Sequence, residues 1–482
     1  MELVINLEQI LNFLNLPLDQ MMQRLFWLFG WIPIAMTFIW GSSQVWLSYR
    51  RGLWAAKQKF IFLAIDIPKG NQQTPKAVEN MFAYLAGAHG TFNLHEKWWE
   101  GQFQLSFSFE IVSIEGYTQF LVRTYEKYRD VLESSIYSQY PDAEITEVND
   151  YTVGTPSKFP DDEYDLWGGE FILTKPSVLP IKTFKDFEDK TSSPDTQYKD
   201  TMAALIDLCG SMRKGEQFWY QMIVIPIGFD WVKQGEKEIH KIVGIKEKVP
   251  LNIFDRIADG MLSFLSGFVS FFDIGAGEES SKEEKDDMFK MMNLTPIQKR
   301  QVEAIEEKTG KLGYEIKIRV VYLAKKDVMN KPKAGSGVVG FMKQFTHTHL
   351  NSFKPDIGDK GTITKVNYPI FAEYRLNVKK NKVITTYKDR DDTAGRAPMI
   401  LNTEEMASLW HFPVETAVKG PLVQKTPAKK VEPPASLPLS RKKQFSDESF
   451  LSDKIDTNSG LNKEANNQSM VKNAPPANLP FV

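Results

Sequence analysis

Between Leu25 and Tyr49 the chain carries no charged side chain, and Arg50, Arg51, Lys57 and Lys59 follow it. A helix of about 25 residues rises about 37 Å, enough for the hydrocarbon core of a bilayer with some tilt. Trp27 and Trp31 stand near one end of the run, Trp40 and Trp46 toward the other, where amphipathic rings favour the headgroup zone. The basic cluster that Arg50 and Arg51 open lies on the C-terminal side, so positive-inside bias puts everything after it in the cytoplasm. The expectation is a single-pass inner-membrane protein, with a transmembrane helix over 25–49 inside an N-terminal segment, 1–58. A cleavable signal fits less well, because Glu2, Glu8 and Asp19 precede the apolar run. The stretch from Leu3 to Leu16 is weakly amphipathic and is assigned to the interface.

The rest of the chain has the composition of a folded body. It is 42% apolar and 25% charged over 482 residues, with a net charge of -2, which gives no global signature of nucleic-acid binding. The single cysteine, Cys209, cannot form an intramolecular disulfide and sits in an apolar helical pattern, so it reads as core rather than nucleophile.

Periodicity predicts an α+β body. Residues 59–152 read as strand, helix, two strands, helix, strand. Thr74 and Pro75 open the first helix, and Phe103, Leu105, Phe107, Phe109 and Ile111 alternate with Gln104, Ser106, Ser108 and Glu110 in the clearest strand. That order is the split βαβ, or ferredoxin-like, arrangement. Residues 168–400 repeat the theme with insertions: strands at Gly169–Leu173, Phe218–Ile225 and Tyr314–Tyr322, a helix near Thr201–Leu208, another near Phe341–Phe345, and closing strands near Val366–Leu376 and Lys382–Tyr387. Thr295, Pro296 and Gln298 make a capping box. An apolar helix is expected over 249–274, followed by a charged linker, 278–287.

The segment 401–413 reads as an amphipathic docking helix presenting Met406, Leu409, Trp410 and Phe412. Residues 419–482, rich in Pro, Lys, Ser and Asn, lack the apolar content to fold alone and read as a disordered tether. Within the tether Pro433, Pro434 and Leu437 are echoed by Pro475, Pro476 and Leu479, a spacing suited to polyproline II docking.

Catalytic signatures are weak. Gly335, Gly337 and Gly340 match a dinucleotide pattern, but a long Lys/Pro-containing loop precedes them, and Phe341 and Met342 stand where a triphosphate loop needs Lys and Ser or Thr. His347 and His349 have no acidic or thiol partner at ligand spacing, so no metal and no cofactor are expected. Trp98, Trp99 and His95 mark a contact surface or simply core.

The runs FLAIDIP (62–68), EIVSIEG (110–116), YPDAEITEV (140–148), KIRVVYL (317–323) and LNTEEMASLWHFP (401–413) resemble the N-terminal region of membrane-anchored conjugation, or type IV secretion, ATPase-like proteins of uncultured bacteria. In those proteins this region precedes a coupling-protein-type or HerA-like motor. The present chain has no Walker-type loop. The resemblance implies a non-catalytic adaptor that docks a separate motor ATPase. A DNA-binding accessory role through Arg213, Lys214, Lys325, Lys326, Lys331, Lys333 and Lys343, a membrane scaffold unrelated to transfer, and homo-oligomer formation are the alternatives.

Overall fold

The structure, a computed structural model, describes residues 17–68, 71, 73–187, 200–245, 294–358 and 360–414. The expectations for 3–16, 249–274, 278–287 and the tail from 419 lie outside the described residues.

In chain order the elements are α1 (Leu18–Phe29), α2 (Trp31–Ala56), β1 (Phe60–Asp66), α3 (Pro75–Leu85), β2 (Phe107–Ile114), β3 (Tyr117–Tyr125), α4 (Arg129–Tyr137), β4 (Glu144–Val148) and β5 (Tyr164–Leu173). There follow α5 (Ala203–Gly210), β6 (Glu216–Pro226), α6 (Val232–Val243), α7 (Pro296–Thr309), β7 (Gly313–Lys325), α8 (Lys331–Lys343), β8 (Phe353–Pro355), α9 (Ala372–Lys388), β9 (Met399–Asn402) and α10 (Thr403–Leu409).

Among the described residues nine strands form one sheet in the order β4-β1-β3-β2-β6-β7-β5-β8, with β9 added to β7. Every pairing is antiparallel. The first four strands run 4-1-3-2, and β5, β6, β7 and β8 repeat that order from the opposite edge, so two split βαβ halves share a seam at β2–β6. The seam runs from Phe107 opposite Val224 to Ile114 opposite Gln217, and it fuses the two expected domains into one sheet.

Period-two alternation decides what each face buries. Phe107, Phe109 and Ile111 of β2, Phe218, Tyr220 and Met222 of β6, and Ile316, Ile318 and Val320 of β7 point to one face. There α3, α4, α5, α8 and α10 cover them through side chains such as Phe82, Leu132, Leu205, Phe341 and Leu409. On the other face α9 lays Val383, Ile384 and Tyr387 over Leu121, Trp219, Val321 and Leu323. Both faces are therefore buried, although the alternation of apolar with charged residues in β7 would also suit a sheet wet on one side.

Three expectations fail on these elements. The transmembrane helix is overturned, because among the described residues no helix is long and apolar enough to cross a membrane. α1 ends at Phe29, which cuts 25–29 away from α2, and within α2 Thr37, Gly41, Ser42, Ser43, Gln44 and Ser48 dilute the apolar run before Arg50. The single-pass inner-membrane location and the side assigned to the body fall with it. The strands expected near 366–376 and 382–387 are instead loop and the helix α9: the β-branched run of Val383, Ile384, Thr385 and Thr386 is overridden by burial at i, i+1 and i+4 spacing. Finally, the glycine-rich 335–340, whose glycines read as a flexible loop opening a helix, lies inside α8, where a Cβ on Gly337 would come within 2.8 Å of Leu208 of α5. That glycine permits close helix packing and cradles no phosphate.

Candidate functional site

Large apolar side chains fall into two populations. Most of those in the body are buried, although Phe229, Ile370, Phe371 and Tyr374 stay exposed, and the four residues expected to dock a partner are among the buried ones. Met406, Leu409 and Trp410 are 0% exposed and Phe412 is 1% exposed. Asn402 caps α10 reciprocally with Glu405, each accepting from the other's backbone N–H at 2.9 Å, which drives the helix into the core. Trp410 then packs edge-on against Phe109 with ring centroids 5.0 Å apart and against Phe120 at 5.6 Å. These residues hold the body together and offer no surface. Pro433, Pro434, Leu437, Pro475, Pro476 and Leu479 lie outside the described residues.

The second population stands on α1 and α2. Exposure runs from 41% at Trp46 to 78% at Trp27, and Trp31, Phe38, Ile39 and Trp40 fall between. Together α1 and α2 form a rod, and a joint built around Trp98 and Trp99 sets where it leaves the body. Residues Glu96–Glu100 wind as a single π-helical turn whose C-terminal carbonyls stay open. The Trp46 indole N–H donates to the Trp98 carbonyl at 2.9 Å, and the Arg50 guanidinium donates to the Trp99 carbonyl. The Trp46 and Trp99 rings meet edge-on at 5.7 Å, and Trp54 meets Phe103 at 5.2 Å. Gly101 closes the turn at φ +76°, where a Cβ would sit 2.4 Å from the Arg50 carbonyl group. The adjacent tryptophans that the sequence singles out are therefore joint residues. Nothing in their spacing shows that their carbonyls, rather than their rings, receive the helix.

The polar face of the sheet is closed. Glu110, Gln221, Arg319 and Glu170 are direct cross-strand neighbours on β2, β6, β7 and β5. Glu110 accepts from the Tyr151 hydroxyl at 2.7 Å, from Gln221 at 3.1 Å and from Arg390 at 3.1 Å. Arg390 also reaches Asp150 at 2.6 Å, and Arg319 donates to Glu170 at 3.0 Å. Burial by itself would lower the Arg390 guanidinium, but Glu110 and Tyr151 outweigh it and hold its pKa above the ordinary value. Burial and the Arg390 charge lower Arg123 to about 10. Burial, then the Glu110 charge, raises Tyr151 and Tyr387, which stay protonated donors. Cations and carboxylates thus neutralise one another under α9, an arrangement suited to specifying a register.

A cleft of about 350 Å³ opens where α7 meets the start of α10. Its floor is the fully buried pair of Lys308 and Glu405, 2.8 Å apart, and Lys308 also donates to the carbonyls of Ser177 at 2.5 Å and Ile400 at 3.0 Å. Glu404 takes Lys185 at 2.7 Å and also Lys311. His347 lines this cleft, and burial together with Arg300 lowers its pKa. Among the described residues no cluster of three or more His, Cys, Asp or Glu side chains could hold a metal. Cys209 is buried, which raises its thiol to about 12. Of the basic residues weighed for DNA, Lys325 pairs with Glu163 at the surface, Lys331 with Asp165 at 2.7 Å and Lys333 with Glu216 at 2.9 Å, so these three are each held by a carboxylate.

The model of a family described as Domain of unknown function (DUF8128) matches residues 67–419. The chain belongs to that family. The DUF8128 match takes in every element from α3 to α10, while α1, α2 and β1 precede it. No curated protein matches the chain.

Proposed function

We propose that the chain is a non-catalytic assembly component in which the two-sided α+β body carries the α1–α2 rod as its contact element. One observation supports this most: exposed aromatic and aliphatic side chains follow one another along the rod from Phe26 to Leu53, while buried charged groups of the body such as Arg319, Arg390 and Lys308 are paired with carboxylates. Exposed apolar surface on this scale marks a contact site. The joint at Trp98 and Trp99 fixes the direction in which the rod is offered.

The resemblance of the body to regions that precede motor domains points to a separate motor ATPase as the partner, within a secretion or DNA-transfer machine. The test is cross-linking of the full-length chain in its native cell, followed by identification of what it captures. Replacing Ile39 and Trp40 by Lys should remove a captured ATPase while leaving the body folded. An unchanged set of captured proteins, or ATP turnover by the purified chain alone, would overturn the proposal.

A further inference from the structure

One stripe of α2 lines a shallow groove of about 860 Å³. Ile34 and Tyr49 close its ends, Phe38 and Val45 flank its middle, and Gly41 and Ser42 form its floor, with Thr37 and Trp46 between. A Cβ on Gly41 would meet nothing within 4 Å, so the floor is open to an approaching backbone. The stripe is its own complement about the point between Gly41 and Ser42. Turned end for end, it sets Ile34 against Tyr49, Thr37 against Trp46, Phe38 against Val45 and Gly41 against Ser42. A two-fold interface needs a patch that complements itself in this way.

We propose that the occupant of this groove is the same stripe of a second copy, packed antiparallel with the two helices crossing at Gly41 and Ser42. This inference rests on the reading of the rod as a contact element and names its partner. Charge favours it twice. The stripe carries no charge, so a charged partner helix would lose solvation without compensation. A parallel pair would also bring Arg50 and Arg51 of both copies together, and α2 contains no acidic residue to offset them. The antiparallel pair separates the two Arg50 positions by roughly 25 Å at 1.5 Å per residue, beyond the screening length at physiological salt. Phe38, Trp46 and Tyr49 of each copy, each half covered, with Ile34 and Val45, would bury on the order of 1,000 Å², the lower bound for a specific interface. Met36 and Trp40 stay on the far side of the helix for another partner, with Ile39 at the edge of the stripe beside Trp46.

Sedimentation equilibrium of the full chain at micromolar concentration should give twice its 55.2 kDa mass. Val45→Lys should weaken the dimer tenfold or more without shifting the Tm of the body. Direction is read from cysteine pairs, with Cys209 buried and silent. Ile34→Cys mixed with Tyr49→Cys should cross-link under mild oxidation, and Ile34→Cys alone should not. A single-chain mass at all concentrations, or efficient cross-linking of Ile34→Cys with itself, would overturn the proposal. If the mass stays single while the Ile39 and Trp40 replacements still lose the captured ATPase, the pairing fails and the assembly role stands.

Discussion

Trp410 and Trp40 are the same residue in opposite situations. The first is 0% exposed in a cluster of aromatic rings, and the second is 66% exposed on a rod that packs on the body near its C-terminal end. Folding accounts for the first, because removing that ring from water is part of what stabilises the sheet. It gives no account of the second. The contrast shows that, in this chain, apolar content alone does not separate residues that make the fold from residues available to a partner.

The contrast can be broken by unfolding measurements. Trp410→Ala should cost about 3–5 kcal/mol in denaturant unfolding of the body, through the cavity it leaves. Arg390→Met should cost a similar amount, about 3–5 kcal/mol, because Glu110 is left buried and unpaired, and joint replacement of Glu110 by Gln should recover part of it. Gly337→Leu should cost about 1–3 kcal/mol by forcing α8 from α5. Trp40→Lys should stay within about 0.5 kcal/mol, and a larger loss would show that the rod packs on the body.

A pH scan sharpens the same comparison. Burial alone would raise Asp200, but the His411 charge and the backbone N–H groups of Val414 and Met202 hold it below the ordinary carboxylate range. Asp150 and Asp165 are lowered in the same sense, by Arg390 and by Lys331 with Lys380, against their own burial. A depressed folded pKa contributes stability above the unfolded value, near 4, and loses it as pH falls through the folded one. The Tm of the body should therefore hold through neutral pH and fall below about pH 4. Trp40→Lys should not alter that profile.

Much of the body was legible from spacing. The alternation in β2 and β7, the capping box at Thr295, the opening of α3 at Pro75 and the burial of Cys209 follow from local periodicity and end chemistry. α9 was not legible, because its β-branched run has strand propensity and only contact with Trp219 and Leu323 makes it helical. The docking role given to Met406, Leu409, Trp410 and Phe412 failed for a related reason: an amphipathic helix looks the same whether its apolar face meets its own core or a partner. The membrane span failed because absence of charge is a weaker condition than sustained hydropathy.

By itself the sequence determined which residues share a strand face and where several helices begin, because those depend on neighbours a few positions away. Only the tertiary structure decided that both halves join at β2–β6, that α9 and Arg390 seal the charged face, and that much of α2 stays exposed. Those outcomes depend on contacts between residues more than a hundred positions apart, and the sum of burial over all of them, rather than any one segment's pattern, selects which apolar surface is covered.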